Sequence, residues 1–381
     1  MVTASQTIVI SGFYGYKNSG DEAVLQSILM ALEEQAKELG IVIQPVVLSI
    51  DPEWTKSTYG VQAVHRMKLA EVRQAIKDSC GLISGGGSLL QDVTGPKTIP
   101  YYLGIIKLAQ WMKKPTFIYS QGVGPVNRGL FHPMIKSVFK KCAYISVRDQ
   151  ESSELLRSMG LQGKVIDVVP DPVMGLRPRE QGTELNDEIP YEGSLTIIGI
   201  SVRYWEKDYK ELQKIVEGLQ LVMKKQPIHV RFLPFHLPID VEASRYMMEL
   251  LGDVSSIGSQ MSICSDMVYP QDMLWEISQC QIVIGMRLHS LIYAANSRVP
   301  MIGISYDPKI NHFLQRLDQQ PIGDTSSLSP DALSSEIERL LFHEEEWRNI
   351  HATQIDRLKQ ESQMPAKRIV EYILSKVITN E

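Results

Sequence analysis

Cysteine is scarce: Cys80, Cys142, Cys264 and Cys280 are spread over 381 positions with no C-x-x-C spacing. That gives no disulfide framework and no zinc-ligand pattern, and reads instead as small buried hydrophobes in a reducing compartment. No apolar run approaches the roughly 20 residues needed to cross a bilayer. Residues 1–6 show no basic stretch leading into an apolar segment, so no signal peptide is expected. A basic excess is also missing. Lys and Arg number 39 against 44 Asp and Glu, and the net charge of −5 argues against a nucleic-acid binder. The expected location is the cytoplasm, with any contact to the inner face of the membrane peripheral. Familiar catalytic signatures are absent too. The glycine-punctuated stretch 12–21 matches neither G-x-G-x-x-G nor G-x-x-x-x-G-K-[ST], and there is no G-x-S-x-G elbow. The carboxylates Asp21, Asp92, Asp171, Asp266 and Asp307 stand alone, which does not suggest a paired-carboxylate glycosidase.

What is present is an ordinary globular composition, 44% hydrophobic and 22% charged, in a chain long enough for two domains. Short β-branched runs alternate with amphipathic stretches. Strands are expected at 7–10, 46–50, 82–84, 116–119, 144–147 and 165–169, with helices at 21–39, 68–79, 99–112, 132–141 and 149–159 between them. Residues 171–193 lose this periodicity and are rich in Pro, Gly and charge. The alternation restarts with strands at 196–202 and 228–233 and helices at 207–224, 241–251 and 272–278. A β-α-β unit at 281–309 follows, then helices at 331–342, 346–362 and 368–378. This predicts an α/β protein of two doubly wound parallel sheets whose strand ends face a central cleft. The expected domains are 1–175 and 194–345, joined by a linker at 176–193. Helices at 346–381 are placed to return to the first domain.

The 281–309 unit organises the reading. The run Ile282–Gly285 stops abruptly, a core-facing helix follows, and 301–306 reads as the next buried strand. Arg287 and His289 fall in the strand-to-helix turn, where anions are favoured. Lys309 follows the second strand with Asp307. Two cations and an imidazole at one helix start can hold a phosphate or carboxylate and move a proton beside it, whereas a lone histidine there would be only a cap or a surface residue. In the first half, Lys17 and Asn18 offer side-chain contacts in a loop whose glycines admit a ligand, and Asp21 is either a contact or the helix N-cap. Gly86 and Gly87 lie in a strand-end turn that either nests an anion or merely needs small residues. Gln121 ends another strand. Arg148 closes a buried strand, so its guanidinium needs Asp149, another internal carboxylate, or an anionic ligand. Arg203 holds the matching position in the second half.

Five blocks now stand in order: Gly-Phe-Tyr-Gly-Tyr-Lys-Asn-Ser-Gly-Asp-Glu from Gly12, Gly-Gly-Gly-Ser-Leu-Leu-Gln-Asp from Gly85, Gln-Gly-Val-Gly-Pro from Gln121, Val-Arg-Asp from Val147 and Gly-Met-Arg-Leu-His from Gly285. Together they resemble the polysaccharide pyruvyl transferase family, closest to the bacterial branch acting on the cell-wall polysaccharide that anchors S-layer proteins. The resemblance implies a GT-B-like fold of two Rossmann-type domains. It implies phosphoenolpyruvate as donor, and a 4,6-ketal formed on N-acetylmannosamine of a lipid-linked disaccharide or oligosaccharide. It carries the family's basic and histidine positions to Arg148, Arg287, His289 and Lys309.

That chemistry needs two anion sites and a proton carrier. His289 and Arg148 are the expected catalytic residues. Arg287, Lys309, Lys17, Asn18, Asp21, Gly86, Gly87, Gln121 and Arg203 are the expected substrate contacts. No metal or cofactor is required, since cations can neutralise the departing phosphate. Lys136, Lys140 and Lys141 are candidate contacts to the membrane that would carry a lipid-linked acceptor. Two other readings fit the architecture: a GT-B glycosyltransferase using a nucleotide sugar, and a non-catalytic sugar-binding protein.

Overall fold

A computed structural model describes residues 5–93, 95–179, 195–265 and 269–380. Residues 180–193 of the expected linker, and Asp266, lie outside the described residues. The chain divides into two compact units, Met1–Leu176 with Leu358–Glu381, and Arg177–Arg357.

The first unit runs β1 (Ser5–Tyr14), α1 (Ser19–Glu38), β2 (Val42–Ser49), α2 (Pro52–Tyr59), β3 (Gln62–His65), α3 (Leu69–Asp78), β4 (Gly81–Gly85), α4 (Thr98–Trp111), β5 (Thr116–Gln121), α5 (Phe131–Phe139), β6 (Tyr144–Val147), α6 (Gln150–Leu156) and β7 (Asp167–Val168). All seven strands are parallel, in the order β3-β2-β1-β4-β5-β6-β7. The order reverses direction beside β1, which is where a doubly wound sheet opens a crevice at its strand ends. Ile8, Val9 and Ile10 of β1 are fully buried, as a strand covered on both faces requires. Val24, Leu25, Ile28, Leu29 and Leu32 form the buried stripe of α1. Each such side chain contributes about 1.5–3 kcal/mol on burial.

The second unit runs β8 (Thr196–Ser201), α7 (Lys210–Met223), β9 (Ile228–Phe232), α8 (Ile239–Leu251), β10 (Gln260–Ile263), α9 (Pro270–Ser278), β11 (Ile282–Gly285), α10 (Leu288–Asn296), β12 (Met301–Ser305), α11 (Pro308–Gln315), β13 (Gly323–Asp324), α12 (Pro330–Phe342) and the start of α13 (Glu344–Asn380). Its six parallel strands are ordered β10-β9-β8-β11-β12-β13.

Some elements were not legible as periodicity. Only Thr55 of α2 is buried, so the helix carries no apolar repeat. Its signals are at its ends: Asp51 accepts from the Trp54 N–H at 3.2 Å, Pro52 opens it, and Gly60 closes it at φ 67°. The short edge strands β3, β10 and β13, and α11, were missed for the same lack of a long repeat. The two helices expected at 346–362 and 368–378 are one, with Pro365 inside it. Proline removes one helical hydrogen bond, but buried Ala366, Ile369, Val370 and Ile373 hold the segment against the first unit, where Tyr372 meets Phe117 edge-to-face at 5.3 Å.

Gly86 turns the chain after β4 at φ 65°, and a Cβ there would overlap the Val24 side chain of α1. Gly86→Ala is therefore expected to destabilise the first unit by about 2–4 kcal/mol, combining left-handed strain with overpacking. Urea unfolding measures this, and an unchanged midpoint would show that Val24 simply moves aside.

Candidate functional site

In the first unit the polar residues gather at the carboxyl ends of β1, β4, β5 and β6. β1 continues through Tyr14, with an irregularity between Ser11 and Tyr14, where the sequence suggested a loop from residue 11. Asn18, not Asp21, caps α1, its Oδ1 accepting from the Gly20 N–H at 3.1 Å. Lys17 is exposed and sets its ammonium 5.8 Å from the Trp54 ring. The loop is held from inside by Glu22, which accepts from the N–H groups of Gly15 at 2.8 Å and Lys17 at 3.3 Å and from the Tyr59 hydroxyl at 2.8 Å. Sequence reasoning passed over this carboxylate because it sits one helical position beyond a more obvious one.

Arg148 is buried and thoroughly engaged. It donates to Ser88 Oγ at 2.8 Å and pairs with Asp171 at 3.4 Å and Asp149 at 3.5 Å. The internal-carboxylate alternative for this residue is thus the one observed. Gly86 and Gly87 both have positive φ, but the Gly86 N–H is taken by the Tyr119 carbonyl at 2.9 Å, which leaves less of a nest than the sequence suggested. Gln121 is fully buried, and neither end of its amide has a hydrogen-bond partner among the described residues.

Asp21 lies beside this cluster. Its carboxylate, half-buried, makes no hydrogen bond or ion pair among the described residues, and Oδ1 is 3.0 Å from where a Gly87 Cβ would stand. Burial, then repulsion from Glu22 and Asp171, raises its pKa to about 7, with Arg148 opposing. The start of α1 would favour the ionised form by about 0.3–1 kcal/mol, too little to reverse this.

The second unit supplies more positive charge. Arg203 follows β8 and lies over the rings of Trp205 at 5.1 Å and Tyr306 at 4.8 Å, donating to the Tyr306 hydroxyl at 3.1 Å. It has no carboxylate partner among the described residues. β11 lies between β8 and β12, so this bridge spans the end of β11. Arg287 there grips the fully buried Asp240 through Nε at 3.0 Å and through Nη2. Asp240 also accepts from the N–H groups of Phe235 at 3.1 Å and His236 at 2.9 Å. His289 is the second residue of α10, half-buried, with Nε2 shielded from solvent. Lys309 sits in the first turn of α11, its ammonium a loose 3.9 Å from Asp307, which caps that helix through the Lys309 N–H at 3.0 Å.

The structure therefore brings Arg203, Arg287, His289 and Lys309 to neighbouring strand ends of one sheet, and Arg148, Asp21, Gly86, Gly87 and Gln121 to those of the other. Asn18 and Lys17 serve the first loop. His236, Asp240, Trp205 and Tyr306 were missed. His236 lies three residues past the strand expected at 228–233, and its place at a carboxyl strand end was the available signal. Burial, then the nearby Arg287, lowers its pKa from the usual histidine value. A groove of about 830 Å³ in the first unit lies instead at the amino ends of β1, β4 and β5, lined by Lys113, Lys114, Lys141 and Lys376 among others. It is remote in the fold from the residues with chemistry.

A carboxyl that holds its proton to about 7 when folded, but to roughly 3.9 when unfolded, makes folding progressively less favourable as pH rises between those values. Asp21→Asn is expected to raise the melting temperature at pH 8 and to leave it little changed near pH 4. Calorimetry at the two pH values checks this, and a lower melting temperature for the variant at pH 8 would contradict the assigned environment.

Comparison with known proteins agrees with the fold and the family resemblance. A family model described as polysaccharide pyruvyl transferase matches residues 18–308. The amylovoran biosynthesis protein AmsJ of Erwinia amylovora is 21% identical, the match covering 89% of this chain and 93% of that one. Among solved structures, UDP-GlcNAc 2-epimerase from Methanocaldococcus jannaschii superposes with a TM-score of 0.64 at 11% identity, covering 98% of this chain and 100% of that one. A glycosyltransferase from Rickettsia africae gives 0.63 at 12%, covering 97% and 99%. At such identities the structural likeness is one of fold, the GT-B arrangement of two parallel-sheet α/β units. With its motifs in order and most of its length matched, the chain belongs to the polysaccharide pyruvyl transferase family and is a transferase enzyme.

Proposed function

We propose that the enzyme transfers the pyruvyl group of phosphoenolpyruvate to two hydroxyls of an N-acetylmannosamine residue, forming a 4,6-ketal and releasing phosphate. The observation that supports this most is the cationic set at the strand ends of the second unit. Arg203 has no carboxylate partner among the described residues, Lys309 stands in the first turn of α11 beside Asp307, and the amino ends of α10 and α11 are alongside. A compact donor carrying a phosphate and a carboxylate suits such a set. His289, in the first turn of α10, is the acid–base group of this reading. Arg287 is held by Asp240, so its part is to shape the site and to contribute field rather than a vacant fork. Arg148, held between Asp149 and Asp171, has the same part in the first unit.

The reaction protonates the donor's methylene carbon, making the adjacent carbon electrophilic. A sugar hydroxyl adds there, phosphate leaves, and the second hydroxyl closes the ring. Of the two hydroxyl protons lost overall, one is balanced by the new methyl C–H bond and the other departs with phosphate.

The acceptor of this reading is lipid-linked and belongs to the pathway of S-layer-anchoring polysaccharide, with the enzyme in the cytoplasm and peripherally on the inner face of the membrane. No helix among the described residues is long and apolar enough to span a membrane. Exposed Lys136, Lys140 and Lys141 on and after α5, with the lysine-lined groove nearby, suit an anionic surface.

Phosphate release from phosphoenolpyruvate in the presence of a p-nitrophenyl glycoside of N-acetylmannosamine tests the reading, with a UDP-sugar as the competing donor. Turnover with the UDP-sugar alone would replace pyruvyl transfer by glycosyl transfer. Arg203→Ala is expected to raise the KM for phosphoenolpyruvate about 10- to 100-fold, the loss of one charge-assisted contact. An unchanged KM would remove Arg203 from the donor site.

A further inference from the structure

We infer that His236 is a second catalytic imidazole, the base that takes the proton of the attacking acceptor hydroxyl. This rests on the pyruvyl-transfer reading and adds to it a residue that none of the sequence motifs contains.

The inference stands on placement. Asp240, fully buried in the first turn of α8, receives the backbone N–H groups of Phe235 and His236 and the guanidinium of Arg287 together. That fixes the chain after β9 against the end of β11, so the His236 backbone cannot drift from the cationic set. The His236 ring is half-buried and makes no hydrogen bond among the described residues. The charged groups bearing on it come from three elements: Arg203 after β8, Arg287 at the start of α10 and Asp240 on α8. Burial and the two guanidiniums disfavour a third positive charge and Asp240 favours it, with burial and Arg287 the leading influences. The neutral form is kept at physiological pH, ready to accept a proton. His289, by contrast, has Nε2 closed off from solvent. Two imidazoles in different surroundings allow the acid and base duties to be divided.

In the step assigned to His236, a ring nitrogen forms an N–H bond as the hydroxyl O–H bond breaks. The oxygen's electron pair forms the C–O bond to the electrophilic donor carbon. The C–O bond to phosphate then breaks, and the proton on His236 leaves with the phosphate, restoring the neutral ring. No oxidant or further reactant is involved.

The experiment compares wild type, His236→Gln and His236→Ala with phosphoenolpyruvate and the p-nitrophenyl glycoside as acceptor. His236→Gln is expected to lower kcat about 10²- to 10⁴-fold, with the KM for phosphoenolpyruvate within about threefold and the melting temperature unchanged. Wild-type kcat/KM should fall on the acid side with a pKa below the ordinary histidine value of about 6.5, matching the His236 ring titration seen by NMR. Added imidazole should restore part of the His236→Ala rate in proportion to its free base, which a purely structural role would not produce. If wild type turns over while His236→Gln stays within threefold of it, His236 is not the base, and the pyruvyl reading survives. If wild type binds phosphoenolpyruvate but releases no phosphate with the acceptor, that reading fails and takes His236's role with it.

Discussion

The carboxylate of Asp240 is the point on which the second unit's site depends. It is fully buried and receives both arms of the Arg287 fork and two backbone N–H groups. A desolvated carboxylate costs several kcal/mol unless its lone pairs are satisfied, and here all four donors come from two different strand ends. The interaction therefore ties the segment after β9 to the start of α10. Arg287 is held in one pose, and the His236 backbone is fixed nearby. A guanidinium ordered in this way contributes a fixed positive potential without paying for reorganisation when an anion arrives.

The two units distribute charge differently. Around Arg148 lie the carboxylates Asp149 and Asp171, and nearby Asp21, raised by burial first and then by repulsion from Glu22 and Asp171, has its pKa pushed up to about 7. Around Arg287, one carboxylate is neutralised, and Arg203 stacks on aromatic rings with no carboxylate partner among the described residues. The first unit offers a carboxyl poised near neutrality, together with the fully buried amide of Gln121, which has no hydrogen-bond partner among the described residues.

Much of this was legible in the chain. The alternation of β-branched runs and amphipathic stretches announced two parallel sheets, because residues buried on both faces must be apolar throughout. Arg148, Arg203, Arg287 and Lys309 were found by asking which cations end buried strands. Neighbouring partners such as Asp149 for Arg148 could be named, but the distant ones could not. Asp171 and Asp240 reach their arginines from 23 and 47 residues away, and no local pattern encodes such a contact. His236 was missed because attention followed glycine-rich turns, whereas its loop carries Pro234 and Pro238 instead. Helix α2 escaped because it buries almost nothing, and α13 was divided although buried Ala366, Ile369, Val370 and Ile373 carry it past Pro365 as one helix.

The last helix has a consequence for how the protein is made. Residues from Leu358 onward belong to the first unit, where Tyr372 lies against Phe117 of a central strand, yet Arg177–Arg357 is synthesised in between. The unit begun first on the ribosome thus waits, with one flank of its sheet uncovered, until the other has emerged whole. Throughout that interval the nascent chain carries the apolar surface that the segment from Leu358 onward later covers.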